Sequence, residues 1–117
     1  MKLEVGQFAR LKSGYICKII NINDFREPNM KYGVEASYLR DVMFIGDDDV
    51  VKASYNIIDL IKKNDYINGS WVNKIVDGKP IHEDYNDPFY SFGWENDDIK
   101  SVITHEQMEQ MEYKVGE

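Results

Sequence analysis

The sequence contains little of what staples small proteins together or anchors them in membranes. Its single cysteine, Cys17, cannot form an internal disulfide, and the surrounding apolar run Ile16–Ile20 is typical of a core strand rather than of a nucleophile. No apolar run approaches the roughly 20 residues that a membrane span needs, and residues 1–10 lack the apolar stretch of a signal peptide. These absences predict a protein of a reducing, intracellular compartment that does not associate with membranes.

Sequence motifs of catalysis and of metal binding are also missing. No GxxxxGK[ST], GxGxxG, GxSxG, HExxH or CxxC motif occurs. The acidic run Asp47–Asp49 lacks the spaced oxygen ligands of a calcium loop, and His82 has no second histidine at metal-binding spacing. We therefore expect no cofactor and no enzyme. A hydrolase whose carboxylate pair comes from distant residues stays open as an alternative.

What the sequence does contain is a pattern of short strands. Its 117 residues fit one domain, residues 1–117. Alternating residues predict a hairpin around Ser13-Gly14, and β-branched and aromatic residues predict a second hairpin, 65–76, around Gly69-Ser70. Thr104 with Gln107 forms a capping-box pattern at the start of a helix through residue 110. The expected fold is mainly β (α+β): a small bent antiparallel sheet or SH3-like barrel with one short C-terminal helix.

The remaining segments of the second half are predicted in the same way. Residues 81–88 are polar and predict an exposed loop, and residues 89–94 are aromatic and predict a strand. Glu95–Asp98 is a turn, residues 99–103 return as a strand, and residues 112–115 are a candidate last strand. Met108 and Met111 lie three residues apart in the predicted helix, so both are expected to face inward.

Charge is distributed unevenly along the chain. The net charge is −7. Residues 1–40 carry seven basic and four acidic side chains, whereas residues 41–117 carry seven basic and 17 acidic ones. Such an acidic surface repels phosphate backbones, so direct binding to free nucleic acid is not expected. It suits a protein partner with a basic groove, although for the charge alone plain solubility is the better explanation.

Aromatic and acidic residues are concentrated in one stretch, residues 84–98. If Phe92 and Trp94 face the core of the predicted strand, the aromatic residues beside them are left exposed within an acidic rim. A fully buried aromatic cluster is the alternative. The candidate partner-binding residues are Asp84, Tyr85, Asp87, Phe89, Glu95, Asp97 and Asp98.

Four segments of the second half carry distinctive short motifs: 53–61, 65–69, 99–107 and 111–115. The first ends in aspartate-leucine-isoleucine, the second in an asparagine-glycine turn, and the third contains a threonine-x-glutamate-glutamine helix start before the last segment. In these features, which cover the last half of the chain, the sequence resembles a group of small uncharacterised proteins from phages and mobile elements of Gram-positive bacteria. The resemblance implies an accessory protein of a phage or prophage, many of which bind a host factor; anti-CRISPR proteins are one such counter-defence class. It implies no active site.

Together these observations predict a non-catalytic acidic protein that inhibits a host defence protein by occluding a basic surface, with DNA mimicry as one form of occlusion. The alternative function is a sponge for a small signalling nucleotide, captured by aromatic side chains and Arg10, Arg26 or Arg40 between the subunits of a homo-oligomer.

Overall fold

The computed structural model describes residues 3–24, 26–36, 40–84, 86 and 91–111. The chain divides into two compact units, Met1–Leu60 and Ile61–Glu117, which are described separately below. The expectation of a single domain stays a prediction. Across the part of the chain that the structure describes, no helix has the length and apolar character needed to span a membrane.

The first unit is a five-stranded antiparallel sheet. Its strands lie in the spatial order β4-β3-β2-β1-β5. They are β1 (Phe8–Leu11), β2 (Ile16–Ile22), β3 (Tyr32–Glu35), β4 (Met43–Ile45) and β5 (Val50–Ser54).

The predicted N-terminal hairpin is confirmed as β1 and β2, with Ala9 opposite Cys17. Gly14 in the connecting turn has a φ of 94°, which glycine adopts without steric cost. Alternate residues of the two strands, among them Ala9, Leu11 and Ile19, point into the core of this unit. Burial of this apolar face is the main interaction that stabilises the first unit.

The second unit contains two three-stranded antiparallel sheets and a helix. One sheet has the order β10-β9-β8 and the other β11-β6-β7. The elements are β6 (Tyr66–Ile67), β7 (Ser70–Trp71), β8 (Lys74–Val76), β9 (Lys79–Glu83), β10 (Ser91–Gly93), β11 (Val102–Ile103) and α1 (His105–Met111). Ile61, Ile67, Val72 and Trp94 form its buried core.

The predicted hairpin 65–76 is present, but it is shorter and turns one residue earlier. Asn68 and Gly69 occupy the turn with φ of 52° and 84°, the two positive values that a type I′ turn requires. The second strand ends at Trp71 because the side chain of Asn73 bonds to the backbone of Glu83, donating to its carbonyl at 2.6 Å and accepting from its N–H at 2.8 Å. The segment Lys74–Val76 then pairs with β9 instead.

Residues 81–83 belong to β9, so the prediction of an exposed loop there is wrong. Ile81 and His82 are half-buried and pair with Gly93 and Phe92 of β10. Polar side chains misled the sequence interpretation, because a strand needs only one buried face and its backbone bonds do not depend on side-chain polarity. The predicted strand 89–94 is confirmed for Ser91–Gly93; residues 89 and 90, like the predicted strand 112–115, lie outside the described residues.

The helix start is confirmed in detail. The Thr104 N–H donates to Gln107 Oε1 at 2.9 Å, and the Gln107 N–H donates to Thr104 Oγ1 at 3.2 Å, which is the reciprocal capping box. Asp65 adds a contact that the sequence did not indicate. Its side chain is 0% exposed, and its two oxygens accept the N–H groups of His105 at 2.8 Å and of Lys62 at 2.7 Å.

The fold class is confirmed: the protein is mainly β with one short C-terminal helix. The described strands form three separate antiparallel sheets rather than a single bent sheet, and they do not close into a barrel. Very short strands explain this division, because β6, β7 and β11 have two residues each and cannot extend across a larger sheet.

Replacing Asp65 with asparagine should destabilise the protein by about 2–3 kcal/mol. One carboxylate oxygen becomes an NH2 group, so either the Lys62 or the His105 N–H loses its acceptor in a buried site. Chemical denaturation in urea, followed by circular dichroism, measures the change. Asp98→Asn is the matched control because Asp98 caps a turn at an exposed position, and it should cost about 1 kcal/mol or less. Equal effects of the two substitutions would contradict the importance of the buried Asp65.

Candidate functional site

The structure separates the predicted partner-binding residues along the hairpin of β9 and β10. Asp84 follows β9 at one end of the hairpin, and Glu95, Asp97 and Asp98 follow β10 at the other. In the observed register Asp84 lies one step beyond the Glu83–Ser91 pair and Glu95 four residues after Ser91, so at the strand rise of 3.3 Å per residue the two ends are roughly 16 Å apart. Tyr85, Asp87 and Phe89 lie outside the described residues.

Glu95 to Asp98 form what is here called the acidic turn, a 3-10 turn over Asn96–Asp98 with Glu95 as its N-cap. The Asp98 carboxylate accepts the Glu95 N–H at 3.0 Å. Asn68 holds the turn through two hydrogen bonds. Its Nδ2 donates to the Asp98 carbonyl at 2.8 Å, and its Oδ1 accepts the Lys100 N–H at 2.9 Å. The turn therefore has a fixed backbone, and Glu95, Asp97 and Asp98 are exposed on it.

Two lysines offset part of this negative charge. Lys79 Nζ lies 2.7 Å from Glu95 Oε1, and Lys100 Nζ donates to the Asp97 carbonyl at 3.0 Å. Both contacts are exposed, where an ion pair such as Lys79–Glu95 contributes only about 0.2–1 kcal/mol. The lysines can consequently turn towards solvent at little cost when a more basic surface approaches the acidic turn.

A second turn in the first unit has the same construction. Asp47–Asp49 is a 3-10 turn in which the Asp49 carboxylate accepts the N–H of the N-cap residue Gly46 at 2.9 Å. Asp48 and Asp97 are the middle residues of the two turns, and both are exposed. Asp48 is thus a structural match for Asp97 outside the candidate site.

The aromatic residues after Asp84 contribute partly to the core. Trp94 is buried, and Phe92 packs edge-on against it with ring centroids 4.9 Å apart. His82 adds its ring at 5.3 Å from Phe92, and its Nδ1 lies 2.8 Å from the Trp71 carbonyl oxygen. Phe92 and Trp94 therefore face inward, which both the exposed-rim hypothesis and the buried-cluster alternative require.

A groove that the sequence did not predict lies between α1 and the hairpin of β6 and β7. Its volume is about 490 Å³. Tyr66 and Trp71 are cross-strand partners and supply its aromatic wall. The other lining residues are Asn64, His105, Met108, Glu109 and Met111.

The two methionines correct the sequence prediction. Met108 and Met111 were expected to face inward, but Met108 is 37% exposed and Met111 is 65% exposed. Their spacing of three residues did indicate a shared side of the helix. What no local pattern showed is that Asp65 fixes the start of α1 against the turn before β6, so that this side lies along Tyr66 and Trp71.

The three arginines proposed for a nucleotide site differ from one another in exposure and in contacts. Arg10 is 1% exposed and donates through a guanidinium nitrogen to the Leu60 carbonyl at 3.0 Å, inside the first unit. Arg26 lies over the ring of Phe44 at 3.9 Å, and Arg40 is exposed. A nucleotide pocket that used Arg10 would first have to remove it from the core.

Metal-binding side chains do not converge in the described part of the chain. No three histidine, cysteine or acidic side chains there are placed to hold a metal ion. The groove contains one carboxylate among its described lining residues, that of Glu109, which lies 2.9 Å from His105 Nε2. Nothing positive in the described residues indicates catalysis.

Comparisons with known proteins assign no family to the chain. No family model matches the sequence, and the searches of curated proteins and of solved structures give no match. The resemblance to phage and mobile-element proteins therefore stays a prediction.

The interpretation of Cys17 as a core residue is confirmed. The side chain is 2% exposed, and burial raises the pKa of its thiol to about 12. In the unfolded chain the thiol ionises at about pH 8.5. Because the folded protein holds the proton over a wider range, the stability associated with Cys17 should be present at pH 8 and lost progressively as the pH rises towards 12.

Urea denaturation of the wild type and of Cys17→Ala tests this pH dependence. Between pH 8.5 and pH 10 the stability of the wild type should fall by roughly 2 kcal/mol more than that of Cys17→Ala, since all other groups are common to both. Iodoacetamide should modify the native thiol at pH 8 far more slowly than the urea-unfolded thiol. Rapid native alkylation, or a pH-independent difference between the two proteins, would contradict the burial of Cys17.

Proposed function

We propose that this chain is a non-catalytic binding protein of phage or mobile-element origin that inhibits a host protein by occluding a basic surface. It acts in the bacterial cytoplasm, and its acidic second unit makes the contact. A host defence protein is the target class that the sequence resemblance implies. Mimicry of nucleic acid is the form that occlusion takes where the basic surface is itself a nucleic-acid groove.

The observation that carries this proposal is the concentration of negative charge in the second unit. Residues 61–117 carry six lysines against twelve acidic residues, a net charge of −6, whereas residues 1–60 have a net charge of −1. Complementary charge of this kind accelerates encounter with a basic partner and disfavours acidic competitors.

The acidic turn gives this charge a defined geometry. Its backbone is fixed by the Asp98 cap and by Asn68, so little conformational freedom is lost when a partner binds. Asp97 is the residue of the turn best suited to direct contact, because the Asp98 carboxylate caps the turn through the Glu95 N–H and Lys79 offsets part of the Glu95 charge. Asp84 lies about one short strand away and extends the acidic surface.

Charge reversal of Asp97 should slow association with the partner by about three- to tenfold at low salt. The partner is first identified by native mass spectrometry of the tagged protein, purified gently from its producing host, and is then purified. Association rates are measured by biolayer interferometry for the wild type, Asp97→Lys and Asp48→Lys. The difference between the wild type and Asp97→Lys should shrink at high salt, because screening weakens exposed charge interactions.

Asp48→Lys is the control for this experiment. It makes the same change of charge at the same position of an equivalent 3-10 turn, but in the first unit. Its association rate should stay within twofold of the wild type. Equal rates for all three proteins would refute the acidic turn as the contact. A bound mass of nucleotide size in place of a protein would refute occlusion and support the nucleotide sponge.

A further inference from the structure

The groove between α1 and the hairpin of β6 and β7 exposes apolar surface. Tyr66, Trp71, Met108 and Met111 line it, and the two methionines are among the most exposed large apolar side chains of the second unit. Contiguous exposed apolar surface marks a contact site more often than isolated apolar residues do. The groove is large enough to enclose side chains, at about 490 Å³.

The charged side chains around the groove indicate which kind of ligand it can bind. Glu109 is the one carboxylate among its described lining residues, and no described lysine or arginine lines it. Lys62 and Lys63 precede the lining residue Asn64 but are exposed and do not line the groove. An acidic peptide or a phosphate group would therefore meet Glu109 with no lysine or arginine beside it, whereas a lysine or arginine of the occupant would meet a complementary charge.

Glu109 is exposed at the rim of the groove. Its neighbour His105 lies within hydrogen-bond distance, at 2.9 Å from Nε2 to Oε1, on the exposed side of the helix. The contact lies at an exposed position, where such a pair contributes only about 0.2–1 kcal/mol, so a lysine or arginine of a partner can replace it. The groove thus combines an apolar floor with an anionic rim.

The methionines define how selective the groove is for the apolar part of its occupant. Methionine is unbranched and polarisable, so Met108 and Met111 can adjust to apolar side chains of different shapes. Tyr66 and Trp71 are held more firmly, since they are paired across the hairpin and the Trp71 indole N–H donates to Asn64 Oδ1 at 3.1 Å. One wall is rigid and aromatic, and the other is adaptable.

We propose that this groove binds an apolar side chain in a basic segment of a protein partner, with Glu109 contacting a flanking lysine or arginine. The inference rests on the proposed function and deepens it, because it names the part of the partner that the second unit anchors. The acidic turn attracts the basic segment, and the groove holds it.

The test uses defined peptides as probes rather than the unidentified partner. Fluorescein-labelled twelve-residue peptides of leucine and lysine, of serine and lysine, and of leucine and glutamate are titrated with the full-length protein in fluorescence anisotropy. Only the leucine–lysine peptide should bind saturably. Met108→Ser combined with Met111→Ser should weaken its binding by roughly tenfold, because two apolar contacts are lost. Glu109→Gln should weaken it several-fold, and only at low salt.

Met30→Ser is the matched control. Met30 is also 37% exposed but lies in the first unit, so its replacement should leave peptide binding unchanged. Urea denaturation confirms that each variant is folded. Equal weakening by Met30→Ser, or no weakening by the Met108 and Met111 substitutions, would overturn the groove as the site.

Other outcomes separate this inference from the proposed function. If the serine–lysine peptide binds as tightly as the leucine–lysine peptide, charge alone explains binding: the groove is refuted and the acidic-surface proposal stands. If no peptide binds, the groove is refuted while the Asp97→Lys experiment still decides the proposed function. If the wild type is a dimer in sedimentation and Met111→Ser makes it a monomer, a second copy occupies the groove and the inference is wrong.

Discussion

The second unit depends on the buried carboxylate of Asp65. One oxygen accepts the N–H that closes the turn from Lys62, and the other accepts the first helical N–H of α1. A buried carboxylate is tolerated only when its oxygens are hydrogen-bonded, so Asp65 fixes the two groups relative to each other. Since α1 has seven residues and is too short to persist alone, its position follows from this contact, from the Thr104–Gln107 capping box and from packing.

Asn68 has the corresponding role at the other end of β6. Its side chain bonds to the Asp98 carbonyl and to the N–H groups of Lys100 and Ser101. The two-residue strand β6 therefore carries the groove at the end near Asp65 and the acidic turn at the end near Asn68. A short strand alone is weak. Here hydrogen bonds from polar side chains add to the few backbone hydrogen bonds that a two-residue strand can form. The two surfaces of the proposals are positioned by side-chain-to-backbone bonds more than by strand pairing.

This dependence also explains what could be read from the sequence. The hairpin of β1 and β2, the turn after Trp94 and the capping box at Thr104 are local, so neighbouring residues suffice to predict them. The strand β9, the break at Asn73 and the role of Asp65 depend on residues far away along the chain. Asn73 bonds to Glu83, and Asp65 bonds to His105, forty positions later. For the same reason the acidic turn could be proposed from composition, whereas the groove needed the structure.

The two surfaces differ in the energies that they can supply, and this assigns them different tasks. An exposed charge pair contributes about 0.2–1 kcal/mol and weakens with salt. Burying one large apolar side chain contributes about 1.5–3 kcal/mol and does not depend on screening. In the proposed function, the acidic turn therefore governs the rate of encounter, and the groove governs how long the complex lasts. A partner that is only basic would meet the acidic turn and dissociate quickly. A long-lived complex consequently requires a partner segment that carries both basic and apolar side chains. A uniformly acidic surface without the groove could not select for the apolar ones.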